Sequence, residues 1–163
     1  YLQVIEGKTA SLFRWGLEAG ATVAGFAPDV VAALGRVGLH FGMAFQLTDD
    51  LLDLSGEPEL TGKSAFTDLR EGKLTWPLIE GAERDASLAA DLALAIEDPD
   101  RFAAEGYPEK IARRLVELDA IEATRRLAHT HAQSALAELA TLPEGHAREA
   151  IAAMVEAVVR RSA

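Results

Sequence analysis

The chain has 163 residues and a formal net charge of −10, a length that gives one domain with enough chain to bury a sizeable core. The acidic balance and the absence of any basic stripe argue against nucleic acid as a partner. The chain has no cysteine, which excludes disulfides and thiolate metal sites and is compatible with a cytoplasmic location.

Alanine and leucine dominate the apolar residues and β-branched residues are sparse, which favours helix. Apolar periodicity predicts helices over residues 1–25, 29–54, 68–83, 86–97, 109–140 and 147–161. Pro28 begins the second helix, and Pro77 is expected to kink or restart the third. Residues 55–67 are predicted to be a loop, and a loop of this length is usually functional. No strand pattern or internal repeat occurs, so the chain is predicted to be all-α.

The ends and the hydropathy pattern give two further expectations. No segment has the ~18 apolar residues that are needed to span a bilayer, so the sequence predicts no transmembrane segment. Tyr1 stands in place of an initiator methionine and leads directly into helical periodicity, without the layout of a signal peptide. We therefore expect the chain to be truncated at this end.

Three carboxylates stand in an otherwise apolar part of the second helix: Asp49, Asp50 and Asp53. Their spacing of i, i+1 and i+4 places them in one sector of the helix, with Gln46 on the same face one turn earlier. Apolar residues fill the remaining faces, so this helix is expected to be buried nearly all round. Like charges there resist ionisation unless a cation balances them, and oxygen-only ligands suit Mg²⁺, which shares its sites with phosphate oxygens.

Two lysines, Lys63 and Lys73, follow beyond a segment of chain breakers. As point charges they are expected to reach an anionic ligand that the metal holds. The pattern therefore indicates chemistry based on carboxylates, Mg²⁺ and diphosphate. The alternative interpretation is a solvated acidic helix face with unrelated lysines nearby.

Several sequence blocks in this order resemble the trans-isoprenyl diphosphate synthases, the polyprenyl synthetase family. FQLTDDLLD, then GK, then DLREGKLTWPLI are similar to the family's second aspartate-rich region, and EGKTASLF is similar to its Lys-Thr helix. The match runs from Tyr1 to about Asp85. The family's first aspartate-rich motif, which lies upstream, is absent. Residues 1–163 are therefore expected to be the carboxy-terminal part of one isoprenoid-synthase domain, a helical bundle, and to be inactive alone.

The resemblance implies a prenyltransferase that joins an allylic diphosphate head-to-tail to isopentenyl diphosphate and gives a longer trans-polyprenyl diphosphate. Mg²⁺ would bind the allylic diphosphate and stabilise it as the leaving group. Asp49 is expected to coordinate the metal directly, and Asp50 and Asp53 are expected to support it directly or through water. Family members are commonly homodimers, so a homodimer is implied here.

The resemblance also assigns roles to polar residues around the reacting centre. Lys8 and Lys63 are expected to neutralise diphosphate oxygens, and Lys73 is a further candidate for the same task. Thr9 and Gln46 are expected to orient the reacting centre, with their oxygens facing the developing cation.

Two ring side chains on the second helix have simpler interpretations. Phe45 is expected either to lend its ring face to the allylic cation or to pack in the core. His40 lies among apolar neighbours and is expected to be a satisfied core or interface histidine. His129 and His131 are two residues apart and diverge on a helix, which argues against a metal site there.

Three other functions are compatible with parts of the pattern. A phosphate-binding loop fails, because GKT at residues 7–9 and GKS at residues 62–64 lack the correctly spaced glycine and the preceding strand. A terpene cyclase of the same fold usually carries a different second acidic motif. A non-catalytic subunit of a heteromeric prenyl synthase stays open, because the upstream half is missing.

Overall fold

The computed structural model describes residues 1–55, 66–98 and 106–161. In chain order its helices are α1 Leu2–Ile5, α2 Ser11–Val23, α3 Pro28–Ser55, α4 Thr67–Arg70, α5 Trp76–Arg84, α6 Ala86–Glu97, α7 Tyr107–Glu117, α8 Ala120–Ala140 and α9 His146–Arg160. A π-helical segment, Glu6–Ala10, joins α1 to α2. The described ranges contain no strand, and the all-α prediction is confirmed.

Two predicted helices agree closely with the structure because strong start signals precede them. Pro28 begins α3, since its fixed φ angle suits the first turn and its missing N–H is not needed there. Asp85 caps α6, because its carboxylate accepts a hydrogen bond from the Ser87 N–H at 2.9 Å. Hydrogen bonds lower the pKa of Asp85 to about 2. The bond from the Ser87 side chain has the largest effect, and the bond from Arg114 has the next largest.

The prediction of one helix over residues 68–83 is wrong, because the chain turns between α4 and α5. Gly72 has a positive φ of 76°, and its N–H bonds to the Leu69 carbonyl at 2.9 Å. The Lys73 N–H bonds to the Asp68 carbonyl at 2.8 Å, which completes a Schellman motif that ends α4. Lys73 therefore lies after the helix and not in its first turns. The expectation that Pro77 restarts the helix is confirmed, because Pro77 stands in the first turn of α5.

The prediction of one long helix over residues 109–140 is also wrong, because the structure has two helices there. α7 ends at Glu117 and α8 begins at Ala120. Asp119 between them has a φ of 57°, a left-handed conformation that Asp tolerates better than most residues. The apolar periodicity continues across this break, so hydrophobic pattern alone did not reveal it.

The chain divides into two compact units, Tyr1–Thr48 with Arg126–Ala163, and Asp49–Arg125. In the first unit, α3 packs very closely against α2 and the π-helical segment. A Cβ atom added at Gly38 would lie 2.6 Å from the Phe13 carbonyl oxygen, and one at Gly42 would lie 2.5 Å from the Ala10 Cα. Both obstacles are backbone atoms, so these two glycines permit the close approach of the helices.

Polar contacts also join α3 to α8 in the first unit. The Nδ1 atoms of His40 and His131 are 3.1 Å apart, so one ring donates to the other. Four residues before His40, the Arg36 guanidinium bonds to the Glu138 carboxylate at 2.9 Å. His40 is therefore a satisfied, half-buried histidine, as predicted.

The second unit has a hydrophobic core of its own. Its buried members are Leu54, Phe66, Leu69, Leu78, Leu88, Leu92, Ala95, Ile111, Leu115 and Ala120. α5 contacts both α6 and α7, and α4 contacts α6. The core thus fixes the short helices that follow α3.

One helix is long and apolar enough to cross a membrane by length and composition. Residues Pro28–Leu54 contain an 18-residue window with a mean hydropathy of 1.4, so the expectation that the chain has no transmembrane segment is not confirmed and stays a prediction. Half of that window is buried inside the protein. Core helices of water-soluble proteins meet the same criterion, so the finding is weak evidence for a membrane span.

We predict that Gly42→Ala destabilises the protein by about 1–3 kcal/mol, because the new methyl group displaces backbone on the facing segment. Gly16→Ala is the matched control, since an added Cβ there meets nothing within 4 Å. In α2 this change should stabilise by up to about 1 kcal/mol through helix propensity. Urea unfolding of both variants measures the difference, and equal effects would contradict the close packing.

We predict that the first unit loses stability as the pH falls below about 6.5, the ordinary pKa of histidine. The pKa of His131 is lowered, mainly by burial and to a smaller extent by the neighbouring His40, and Glu6 opposes this in part. Between the pKa of folded and unfolded His131, the unfolded chain therefore binds more protons than the folded chain. The contribution of His131 to stability is fully present only above pH 6.5. Arg36 and Glu138 form an ion pair on the same two helices, and the bond from Arg36 lowers the pKa of Glu138, which keeps its charge.

The measurement is thermal unfolding between pH 7.5 and 5.5. His131→Asn should flatten the pH dependence, whereas His129→Asn, an exposed position on the same helix, should leave it as in the original chain. A pH dependence that is unchanged in His131→Asn would contradict this account.

Candidate functional site

The three acids of α3 have different environments in the second unit. Asp49 is exposed, Asp50 is only 1% exposed, and Asp53 is half-buried. The expectation that the helix is buried nearly all round is therefore wrong at Asp49. Within the described ranges, no side chain or backbone group bonds to the Asp49 carboxylate. Asp49 is thus the acid whose oxygens face solvent.

Asp50 is bonded to the start of α5. Its Oδ2 atom accepts a hydrogen bond from the Trp76 N–H at 3.3 Å. The first N–H groups of a helix have no partner inside the helix, and the residue that precedes α5, Thr75, provides no side-chain cap. A carboxylate from α3 fills this role, and the Trp76 N–H in turn satisfies one of its buried oxygens.

Asp53 is bonded to the start of α4 through three hydrogen bonds. Its carboxylate accepts from the Thr67 N–H at 3.0 Å and from the Asp68 N–H at 3.3 Å. Its backbone carbonyl accepts from the Phe66 N–H at 2.8 Å. Phe66 is the N-cap residue of α4 and also lacks a side-chain cap bond. Asp50 and Asp53 therefore both replace missing caps on neighbouring helices.

The donor chemistry of the three acids fits a hard cation, although they do not converge on one point. In the part of the chain that the structure describes, no three acidic or histidine side chains form a group that could hold a metal ion. Mg²⁺ needs only one or two carboxylates when phosphate oxygens and water supply the other ligands. Asp49 best fits that requirement, and metal binding by all three acids stays a prediction.

Lys8 and Thr9 lie in the π-helical segment of the first unit. Single π turns inside helices occur frequently at functional sites, and this one was not predicted from the sequence. The Thr9 hydroxyl donates to the Gln46 carbonyl oxygen at 2.9 Å. Lys8 is exposed, and none of the described carboxylates forms an ion pair with it. The structure thus brings together Thr9 and Gln46, and it leaves the Lys8 ammonium accessible.

The ring of Phe45 packs in an aromatic cluster of the first unit. Its centroid is 5.5 Å from that of Phe13, which in turn lies edge-on to Phe41 at 5.0 Å. These separations are typical of stabilising aromatic pairs. The structure therefore gives Phe45 a packing role, and its contact with a cation stays a prediction.

Lys73 is exposed and paired with acids in the second unit. Its Nζ atom is 3.2 Å from the Asp68 carboxylate and 2.5 Å from the Glu71 carboxylate. The bond to Glu71, followed by the bond to Asp68, raises the pKa of Lys73, so the ammonium stays charged. Lys63 lies outside the described residues, and its predicted role is not addressed by the geometry.

A concavity between α6 and α7 in the second unit does not involve the predicted site. A cavity of about 510 Å³ is lined by side chains of α6 and α7, including Asp91, Lys110 and Arg114. Its charges are largely paired, since Lys110 contacts Asp91 at 2.8 Å and Arg114 contacts Glu117 at 2.9 Å. Volume alone therefore does not identify the site.

Sequence reasoning missed Asp68 and the π turn. Asp68 accepts the Lys73 N–H and pairs with the Lys73 ammonium. A signal for it was present, because Gly72 predicts a helix C-terminus that would bring the chain back to Asp68. The π turn had no comparable signal in the sequence.

Comparison with known proteins identifies the family of the chain. The family model described as polyprenyl synthetase matches residues 1–115. A prenyl transferase from Cyanophora paradoxa is 34% identical over 161 residues, which are 99% of this chain and 48% of that protein. The chain thus spans about half the length of the curated relatives that it matches.

Solved structures agree with this result. A decaprenyl diphosphate synthase from Rhodobacter capsulatus is 36% identical with a TM-score of 0.88, over all of this chain and 50% of that one. A polyprenyl synthase from Caulobacter crescentus, complexed with calcium and isoprenyl diphosphate, is 38% identical with a TM-score of 0.88, over all of this chain and 49% of that one. The fold is accordingly the all-α isoprenoid-synthase fold, and the chain belongs to the polyprenyl synthetase family.

Proposed function

We propose that this chain supplies one metal- and diphosphate-binding part of a prenyltransferase. The reaction is the head-to-tail condensation of an allylic diphosphate with isopentenyl diphosphate. The relatives are named as prenyl transferases and prenyl diphosphate synthases, which supports this class of activity. The homodimer and the cytoplasmic location stay predictions.

The observation that carries the proposal is the difference between Asp49 and its two neighbours. Asp50 and Asp53 accept backbone N–H groups, whereas Asp49 is exposed on the same helix and no described group bonds to it. An exposed carboxylate beside two further negative charges creates a local potential that favours a divalent cation. The Caulobacter crescentus structure contains calcium, another hard cation with oxygen ligands, together with a diphosphate compound.

The residues of this chain would divide the work between binding and positioning. Bound Mg²⁺ would neutralise the diphosphate and make it a better leaving group. Asp49 would hold that cation, and Lys8, Lys63 and Lys73 would donate charge-assisted hydrogen bonds to diphosphate oxygens. The Thr9 hydroxyl, by donating its hydrogen to Gln46, keeps its lone pairs for the electron-poor carbon of the allylic group.

We predict that Asp49→Asn weakens Mg²⁺-dependent binding of inorganic diphosphate by about tenfold or more, because it removes a charged metal ligand. Asp29→Asn is the matched control, an exposed acid in the first turn of the same helix. Isothermal titration of the chain with diphosphate, with and without Mg²⁺, measures both variants.

Unchanged affinity in Asp49→Asn would rule out the role of this residue. If the original chain binds no diphosphate in the presence of Mg²⁺, the proposal of a binding half fails. A chain that contributes only an interface to a heteromeric synthase would give that second result.

We predict that Lys8→Met weakens diphosphate binding by about tenfold, since a charge-assisted hydrogen bond is worth about 1.5–3 kcal/mol. Methionine keeps the apolar stem and removes the charge. Lys110→Met is the control, because its ammonium pairs with Asp91 in another part of the chain. The same titration applies, and equal affinities for the two variants would remove Lys8 from the site.

A further inference from the structure

Asp53 makes contacts that a metal ligand does not require. Both of its carboxylate oxygens accept backbone N–H groups, from Thr67 at 3.0 Å and from Asp68 at 3.3 Å. Its own carbonyl accepts the Phe66 N–H at 2.8 Å. All three donors lie at the start of α4, so Asp53 fixes that start relative to the last turns of α3.

The backbone at this point is held in an unfavourable conformation. Phe66 has a φ of 59° and a ψ of 35°, which is the left-handed region that a bulky residue rarely adopts. Such a conformation is unfavourable and persists only where surrounding contacts impose it. The Phe66 side chain is 1% exposed, and hydrogen bonds to Asp53 hold the backbone N–H groups of Phe66, Thr67 and Asp68. Burial and the carboxylate together therefore impose this turn.

The start of α4 in turn determines where Lys73 stands. α4 has a single turn, and the Lys73 N–H bonds to the Asp68 carbonyl at 2.8 Å. The Lys73 ammonium lies 3.2 Å from the Asp68 carboxylate. Asp68 thus connects Asp53 to Lys73: its backbone N–H bonds to the Asp53 carboxylate, and its own carboxylate bonds to the Lys73 ammonium.

We propose that Asp53 is a positioning residue for Lys73 and not a metal ligand. Asp53 holds the Asp68 N–H, and Asp68 then holds both the backbone and the ammonium of Lys73 at a defined place. This inference rests on the proposed function, because it takes the Lys73 ammonium to meet a diphosphate. It reassigns the third acid of the motif from metal binding to the geometry of the anion site.

The test compares Asp53→Asn, Lys73→Met and the double variant. Two quantities are measured by titration with inorganic diphosphate: its affinity, and the Mg²⁺ concentration that gives half-saturation. Asp53→Asn and Lys73→Met should each weaken diphosphate binding by about threefold to tenfold, and the double variant should be no weaker than Lys73→Met alone. The Mg²⁺ concentration at half-saturation should stay unchanged in Asp53→Asn and rise in Asp49→Asn.

Backbone hydrogen exchange gives a second readout of the same variants. The Thr67 and Asp68 amides should exchange at least about tenfold faster in Asp53→Asn, because they lose a charged acceptor. Asp85→Asn is the matched control, since it removes a cap bond to Ser87 at the start of α6 and is not part of the proposed site. It should speed exchange at Ser87 and leave diphosphate affinity unchanged. Unaltered protection of the α6 amides in Asp53→Asn shows that the second unit stays folded.

Three results would overturn the inference: a raised Mg²⁺ requirement in Asp53→Asn, additive losses in the double variant, or unchanged exchange at Thr67 and Asp68. If the original chain binds no diphosphate, the proposed function fails and this inference fails with it. If the original chain binds diphosphate and one of the three results is seen, only the positioning role of Asp53 fails.

Discussion

The structure of the second unit depends on carboxylates of α3 that accept backbone N–H groups from the helices that follow. α4 and α5 are short, and neither has a side-chain cap on the residue that precedes it. Asp53 and Asp50 supply those caps from another helix. A bond of this kind is stronger than a neutral one when the carboxylate that accepts it is ionised. An acidic motif that resembles a metal site is therefore also the structural connection between α3 and its neighbours.

This double use explains why three similar acids have different exposures. Asp50 and Asp53 are engaged by backbone donors, whereas Asp49 points to solvent one residue from Asp50. The backbone N–H groups that bond to Asp50 and Asp53 offset part of the repulsion among the three neighbouring acids, because each N–H donor stabilises the ionised form of its carboxylate. The lysines differ in the same way, since Lys73 is paired with acids and Lys8 is not paired within the described residues.

The sequence was sufficient for the helical class, for the long helix α3 and for the residues of the acidic motif, because apolar periodicity and a proline or aspartate cap mark them. It was insufficient where backbone geometry decides. The break at Asp119 depends on a left-handed residue that the hydrophobic pattern does not register, whereas the break at Gly72 is marked in the sequence by the glycine itself, which apolar periodicity ignores. The π turn at Lys8 and Thr9 and the cap bonds of Asp53 depend on tertiary contacts, which one-dimensional spacing cannot provide.

The central claim is that Asp49 takes the cation while Asp50 and Asp53 hold backbone. The most direct measurement is paramagnetic broadening of the NMR spectrum by Mn²⁺, as a substitute for Mg²⁺, in the presence of inorganic diphosphate. The account predicts the strongest broadening at Asp49 and its neighbours, and it predicts that the amides of Thr67, Asp68 and Trp76 stay protected from exchange in a matched sample with Mg²⁺. Broadening centred elsewhere, or loss of that protection when the metal binds, would contradict it.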